Sequence, residues 1–211
     1  ILIDTAGIKK RGRVGTGVDR YSVARSLGAI ERSDVALLVL DATEPVTAQD
    51  LHIAGFVQQA YKGAVIIINK QDLVIDLKKE ELTRLVRSRL KFFSHAPVVY
   101  TSARTGQGVS DVIPQALAVY GERQKRVATA ELNSALSQAI ARHLPPAKGG
   151  RLLKFRYATQ AGINPPTFVF FVNDASLIHF SFQRFLENAL RRSFGFQGTP
   201  LKFVFKSRGD K

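Results

Sequence analysis

Three short runs carry the side chains whose types and spacing can do chemistry: Asp4-Thr5-Ala6-Gly7, Asn69-Lys70-Gln71-Asp72 and Thr101-Ser102-Ala103. A carboxylate leaving an apolar run, as Asp4 leaves Ile1-Leu2-Ile3, can hold a magnesium ion through water, because hard cations take oxygen ligands. Gly7, three residues on, lets a backbone N–H approach a phosphate oxygen. In the second run, the two oxygens of Asp72 match the adjacent N1–H and N2–H₂ donors of guanine. Adenine has an acceptor at N1 and no 2-amino group, so it would leave those oxygens unpaired. Each run alone also fits a strand-end turn or a capped turn before a helix. It is their order along the chain, each closing an apolar run, that points to a nucleotide.

These side chains must be positioned by strands. Ile1–Asp4, Val35–Asp41, Ala64–Asn69 and Pro97–Thr101 are uniformly apolar, the signature of strands buried on both faces. Helices are expected near Tyr21–Glu31, Ala48–Tyr61, Lys78–Phe92 and Val109–Gln124, which makes residues 1–126 an α/β unit with a parallel sheet. The charged run Glu122–Arg126 reads as a helix end or linker. Beyond it the expected order is a helix (Glu131–His143) stopped by Pro145-Pro146, strands Leu152–Thr159 and Phe168–Asn173, a helix Ser176–Phe194, and a strand Leu201–Lys206. Residues 127–211 are therefore expected to form a small α+β domain of order α-β-β-α-β.

The 211 residues carry 31 cations against 17 acidic side chains, a net +14, with no cysteine. Disulfides and thiolate metal sites are excluded. Residues 127–211, the shorter part, hold +8 of that excess. Such a balance calls for an anionic partner such as RNA, DNA or lipid. No apolar stretch approaches the roughly 18 residues of a membrane span. Next to Gly7, the run Ile8 to Gly17 combines three glycines with Lys9, Lys10, Arg11 and Arg13, and reads as a basic loop. Ile8 cannot orient water, so no catalytic residue is assigned. The sequence starts without methionine and contains no G-x-x-x-x-G-K-[ST] phosphate loop, so it is expected to be part of a longer protein.

Asp4-Thr5-Ala6-Gly7-Ile8 with Gly12-Arg13-Val14, Gly17-Val18-Asp19-Arg20-Tyr21-Ser22 and Ala29-Ile30-Glu31-Arg32-Ser33-Asp34-Val35 resemble the second GTPase domain of the bacterial Der (EngA) family. Lys154–Gln160, Asn164–Phe168 and Arg191 through Gly198-Thr199-Pro200 resemble the KH-like domain that closes those proteins. The resemblance implies a Ras-like P-loop GTPase domain lacking its N-terminal part, followed by the KH-like domain. It implies GTP/GDP and magnesium as ligands. Asp4, Thr5, Ala6, Gly7 and Ile8 would border the γ-phosphate and the metal, with Asp4 acting through water. Asn69, Lys70, Gln71, Asp72, Ser102, Ala103 and Arg104 would form the base pocket, with the Lys70 stem along the base, Asn69 bracing neighbouring loops and the Ala103 N–H donating to guanine O6. Arg104 stands where many GTPases have lysine.

The family also implies a cytoplasmic role in assembling the large ribosomal subunit, with ribosomal RNA as partner and with the parent's first GTPase domain packed on the KH-like domain. Two alternatives remain open: a nucleotide-incompetent RNA- or ribosome-binding module, and a GTPase–KH protein of the Era type. Arg151, Lys154, Arg156, Arg191, Arg192, Lys202 and Lys206 are the expected RNA contacts. Gly195-Phe196-Gln197-Gly198 has G-x-x-G spacing, but falls between the last helix and the last strand. With no phosphate-loop strand present, Ile1–Asp4 is expected either to pair directly with Val35–Leu40 or to fray.

Overall fold

The computed structural model describes residues 1–4, 27–74, 78–142, 147–148 and 150–207. It divides into two units, Ile1–Gly121 and Glu122–Lys211. The expected features at Thr5–Gly7, Ile8, the basic loop and Pro145-Pro146 lie outside the described residues.

In the first unit, β1 (Val35–Asp41), β2 (Gly63–Asn69) and β3 (Val98–Tyr100) form a parallel sheet in that order. Between them run α1 (Ala48–Gln59) and α2 (Lys79–Arg89), and α3 (Val112–Gln124) follows β3. Residues 27–32 are helical, as expected for the end of the first helix. The apolar runs become strands because both sheet faces are covered. Leu38, Leu40, Ile66 and Ile68 pack with Ala54, Val57, Leu82 and Val86 of α1 and α2. Val65, Ile67 and Val99 pack with Val112, Ala116 and Val119 of α3. Each fully buried valine, leucine or isoleucine among these contributes about 1.5–3 kcal/mol. Helix α1 starts at a capping box: the Asp50 N–H donates to Thr47 Oγ1 at 3.2 Å, and the Thr47 N–H donates to Asp50 Oδ2 at 2.8 Å. That reciprocal pair satisfies two backbone donors that a helix start leaves orphaned.

The N-terminal strand is not formed. Ile1, Leu2 and Ile3 are exposed coil, the frayed outcome of the two expected. An apolar run becomes a strand only where a partner row accepts its backbone groups. Among the described residues β1 pairs with β2 alone, and Val39 on β1 is 56% exposed.

The second unit holds α4 (Thr129–Arg142), a two-residue hairpin β4 (Ala147–Lys148) and β5 (Arg151–Leu152), then β6 (Phe155–Gly162), β7 (Thr167–Val172), α5 (Phe180–Phe194) and β8 (Lys202–Lys206). The order α-β-β-α-β is as expected, with the small hairpin added. The expected strand Leu152–Thr159 is split, β5 ending at Leu152 and β6 starting at Phe155. β6 and β7 are antiparallel, and β7 and β8 parallel. Phe168, Phe170 and Val172 alternate inward against Leu132 and Leu136 of α4 and Phe182, Leu186 and Leu190 of α5.

Of the two readings of Glu122–Arg126, helix end or linker, the structure gives the helix end: α3 runs through Glu122 to Gln124 and is tied down by side chains. Arg123 is 1% exposed; its Nε donates to Asn164 Oδ1 at 3.0 Å and one terminal nitrogen donates to Thr199 Oγ1 at 3.2 Å. Lys125 Nζ donates to the Phe194 carbonyl at 2.8 Å, and the Val127 N–H to Gln160 Oε1 at 2.7 Å. The buried charge is tolerated because side-chain acceptors from distant loops meet it.

Candidate functional site

The carboxyl ends of three parallel strands bring together the residues expected to form the base pocket. Asp41 and Asn69 are register partners at the ends of β1 and β2. The Thr101 N–H donates to the Ile68 carbonyl at 2.8 Å, and the Gln71 N–H to the Thr101 carbonyl at 3.1 Å. Asn69 Oδ1 accepts from Thr101 Oγ1 at 3.1 Å and from the Ala103 N–H at 2.9 Å. The brace expected of Asn69 is thus present, tying the second run to the third. The Ala103 N–H, expected to face guanine O6, is donated to Asn69 in this structure.

Both loops are held in defined shapes. Lys70 adopts a left-handed backbone, φ 65°, before the single 3-10 turn Gln71–Leu73 that carries Asp72. Ser102 is fully buried; its N–H donates to the Gln107 carbonyl at 2.9 Å and its Oγ accepts from the Thr105 N–H at 3.2 Å. Gly108, φ 70°, closes the loop, and a Cβ there would lie 2.1 Å from the Tyr100 carbonyl oxygen. Glycine alone fits that approach.

The charges are arranged around the loops. Asp72 Oδ2 lies 3.7 Å from Arg104 Nε, and its side chain is 18% exposed. The Lys70 ammonium donates to Asp41 Oδ2 at 2.6 Å. Asp41 also accepts from the Thr43 hydroxyl at 2.7 Å and the Thr43 N–H at 2.9 Å. The Lys70 hydrogen bond, with those from Thr43, holds the Asp41 carboxyl down to about 2. The Lys70 ammonium is pushed above its ordinary value by the same carboxylate. Sequence reading passed over Asp41. The signal was there: Val35–Asp41 and Ala64–Asn69 are parallel apolar runs, each closing on a polar residue.

On the phosphate side, Asp4 lies in exposed coil, and Thr5, Ala6, Gly7 and Ile8 lie outside the described residues. Among the described residues, no three histidine, aspartate or glutamate side chains converge to hold a metal ion. A lone Asp4 suits an outer-sphere contact, with the remaining oxygens supplied by water and phosphate.

The basic residues of the second unit separate into two kinds. Arg191, expected on RNA, is built into the fold: its side chain is 16% exposed, pairs with Glu187 at 2.7 Å, and donates to the carbonyls of Phe196 and Thr199. Burial lowers its guanidinium pKa, against the opposing pull of Glu187. Arg151 pairs with Asp174 at 3.0 Å. Lys154, Arg156, Arg192 and Lys202 are exposed. The Gly195–Gly198 run lies between α5 and β8, and Phe196 is fully buried in the core. It is a packed helix end, as its position in the sequence implied.

Comparison with known proteins finds two family profiles along the chain. Residues 17–146 match the family profile described as the elongation factor Tu GTP binding domain. Residues 126–206 match the profile described as the KH-domain-like region of EngA bacterial GTPase enzymes, C-terminal. GTPase Der of Thermomicrobium roseum is 50% identical over 212 residues, covering 99% of this chain and 46% of the relative. GTPase Der of Chloroflexus aggregans is 48% identical over 213 residues, covering 100% and 47%. The chain spans about half the length of the curated relatives it matches. A crystal structure of Aquifex aeolicus Era bound to GDP and aluminium fluoride superposes with a TM-score of 0.48 at 17% identity, covering 98% of this chain and 76% of that one. With a GTP-binding profile over most of its length and an EngA-type KH-like profile after it, the chain belongs to the GTPase Der family.

Proposed function

We propose that this chain is the guanine-reading and RNA-facing part of a GTP-binding, GTP-hydrolysing switch that assists assembly of the large ribosomal subunit in the cytoplasm. The observation that supports it most is the Asn69 brace, which brings Asp72 and Ala103 to one sheet edge, where open α/β folds bind ligands. In this reading Asp72 accepts guanine N1–H and N2–H₂, the Lys70 stem packs along the base, and the Ala103 N–H turns from Asn69 Oδ1 to O6. Gln71, Ser102 and Arg104 complete the pocket. Asp4, Thr5, Ala6, Gly7 and Ile8 border the phosphates. Magnesium, when bound with them, would offset phosphate charge, with Asp4 holding one of its waters. Residues 1–126 act as the nucleotide domain and 127–211 as the KH-like domain. The parent's first GTPase domain and ribosomal RNA are the proposed partners.

A second reading, a nucleotide-incompetent RNA-binding module, is favoured by one observation: the 211 residues hold no phosphate-loop motif. The phosphate cradle, its lysine and its magnesium-binding hydroxyl are what such a motif supplies. On our reading the purified chain therefore binds a fluorescent GDP analogue weakly, with a preference for guanine, and does not hydrolyse GTP. Tight, magnesium-dependent binding would refute the expectation of weakness. Binding that ignores the base would leave the second reading.

A further inference from the structure

The outer face of the sheet β6-β7-β8 is used by neither the guanine site nor the core. Phe168, Phe170 and Val172 are buried against α4 and α5, so both helices cover one side of this sheet. Side chains alternate along a strand, which turns Thr167, Val169 and Phe171 to the opposite side. The register supplies their neighbours there: Tyr157 and Lys206 flank Phe171, Thr159 and Val204 flank Val169, and Lys202 flanks Thr167. The rings of Tyr157 and Phe171 are stacked, with centroids 4.3 Å apart and planes 15° apart. Tyr157 nevertheless stays 48% exposed, so the stack ends on a ring that solvent reaches.

The charge on these strands has one sign. β6, β7 and β8 contain Arg156, Lys202 and Lys206 and no aspartate or glutamate. Arg156 is exposed at the register shift next to Tyr157. An open aromatic stack bordered by cations, with no anion on its strands, matches the chemistry of single-stranded nucleic acid. Each base offers a π-face to extend the stack, and the phosphates offer negative charge.

The geometry points to this sheet face as a single-stranded RNA platform, with a base stacking on Tyr157 and phosphates meeting Arg156 and Lys206. This rests on the reading that the second unit meets RNA, and it places that contact on the sheet rather than at a glycine loop between helices.

Fluorescence anisotropy of the 211-residue chain with a labelled single-stranded oligouridylate, over a salt series, tests it. Tyr157→Ala is expected to weaken binding about 5- to 150-fold, the range seen when a stacking aromatic is truncated. Tyr157→Phe keeps the affinity, because it keeps the ring. Lys206→Gln and Arg156→Gln each reduce the slope of log affinity against log salt by about 0.7, one phosphate contact on a single strand. A duplex of equal length binds less tightly. A parent chain that binds no RNA at low salt overturns both the RNA reading and this site. A parent that binds RNA, with Tyr157→Ala and Lys206→Gln binding equally well, overturns the site alone and leaves the face to a protein partner. Equal affinity for duplex and single strand overturns the stacking.

Discussion

Asp41 decides where the Lys70 ammonium rests. With Nζ held 2.6 Å from Asp41 Oδ2, the lysine stem is fixed across the mouth between the ends of β1 and β2. The proposed packing along a base would use that posture. The carboxyl is held below its ordinary value, so this pairing stabilises the folded chain fully above about pH 4 and loses its contribution as the pH falls through about 2. The lysine is raised, so its share is complete below its ordinary value of 10.5 and disappears at still higher pH. Both side chains are partly exposed, at 52% for Lys70 and 35% for Asp41, so the stability at stake is small and screened by salt. The titration itself is the better readout. An NMR titration of the Asp41 carboxyl is expected to show a midpoint near 2 in the parent, moving toward 3.8 in Lys70→Ala. An unchanged midpoint would mean that the Thr43 hydrogen bonds, not Lys70, set the value.

At the scale of elements, the site depends on loops pinned to strand ends. Gly108 is the tightest pin, because any Cβ there meets the Tyr100 carbonyl. Gly108→Ala is expected to cost about 1–3 kcal/mol from the left-handed backbone, and more from the clash, which must push the Thr101–Gln107 loop off its hydrogen bonds. Urea unfolding followed through the first unit, together with amide shifts of Ser102 and Ala103, would measure this; a variant as stable as the parent would contradict it. The strands carrying these loops were legible as apolar runs, and the three motifs marked their ends. Ile1–Asp4 reads identically to the others yet forms no strand, because strand formation depends on a neighbour that propensity does not encode. The β4–β5 hairpin was missed because two-residue strands leave no periodic trace. Glu122–Arg126 is the helix end it reads as, but the burial of Arg123 leaves no local trace, because its acceptors lie 41 and 76 residues away in sequence.

At the scale of the whole molecule, the chain combines a sheet edge carrying Asn69, Lys70 and Asp72 in one unit with a cation-bearing α+β unit. The order of the motifs made the nucleotide domain legible, and the charge excess is what the proposed RNA partner would meet. Which cations face outward was not legible, since Arg191 and Lys206 look alike in sequence and only packing separates them. The central claim is that Asp72 reads guanine. Chemical-shift titration of the chain with guanosine, adenosine and xanthosine, in the parent and in Asp72→Asn, tests it most directly. Xanthine carries an oxygen where guanine carries the 2-amino group, so an amide at position 72 can accept N1–H and donate to that oxygen. The account predicts that the parent prefers guanosine over both other nucleosides, with shifts at Lys70, Asp72 and Ala103. It also predicts that Asp72→Asn loses guanosine affinity by about tenfold or more and prefers xanthosine. A parent indifferent to the base, or a preference unchanged by the substitution, would contradict it.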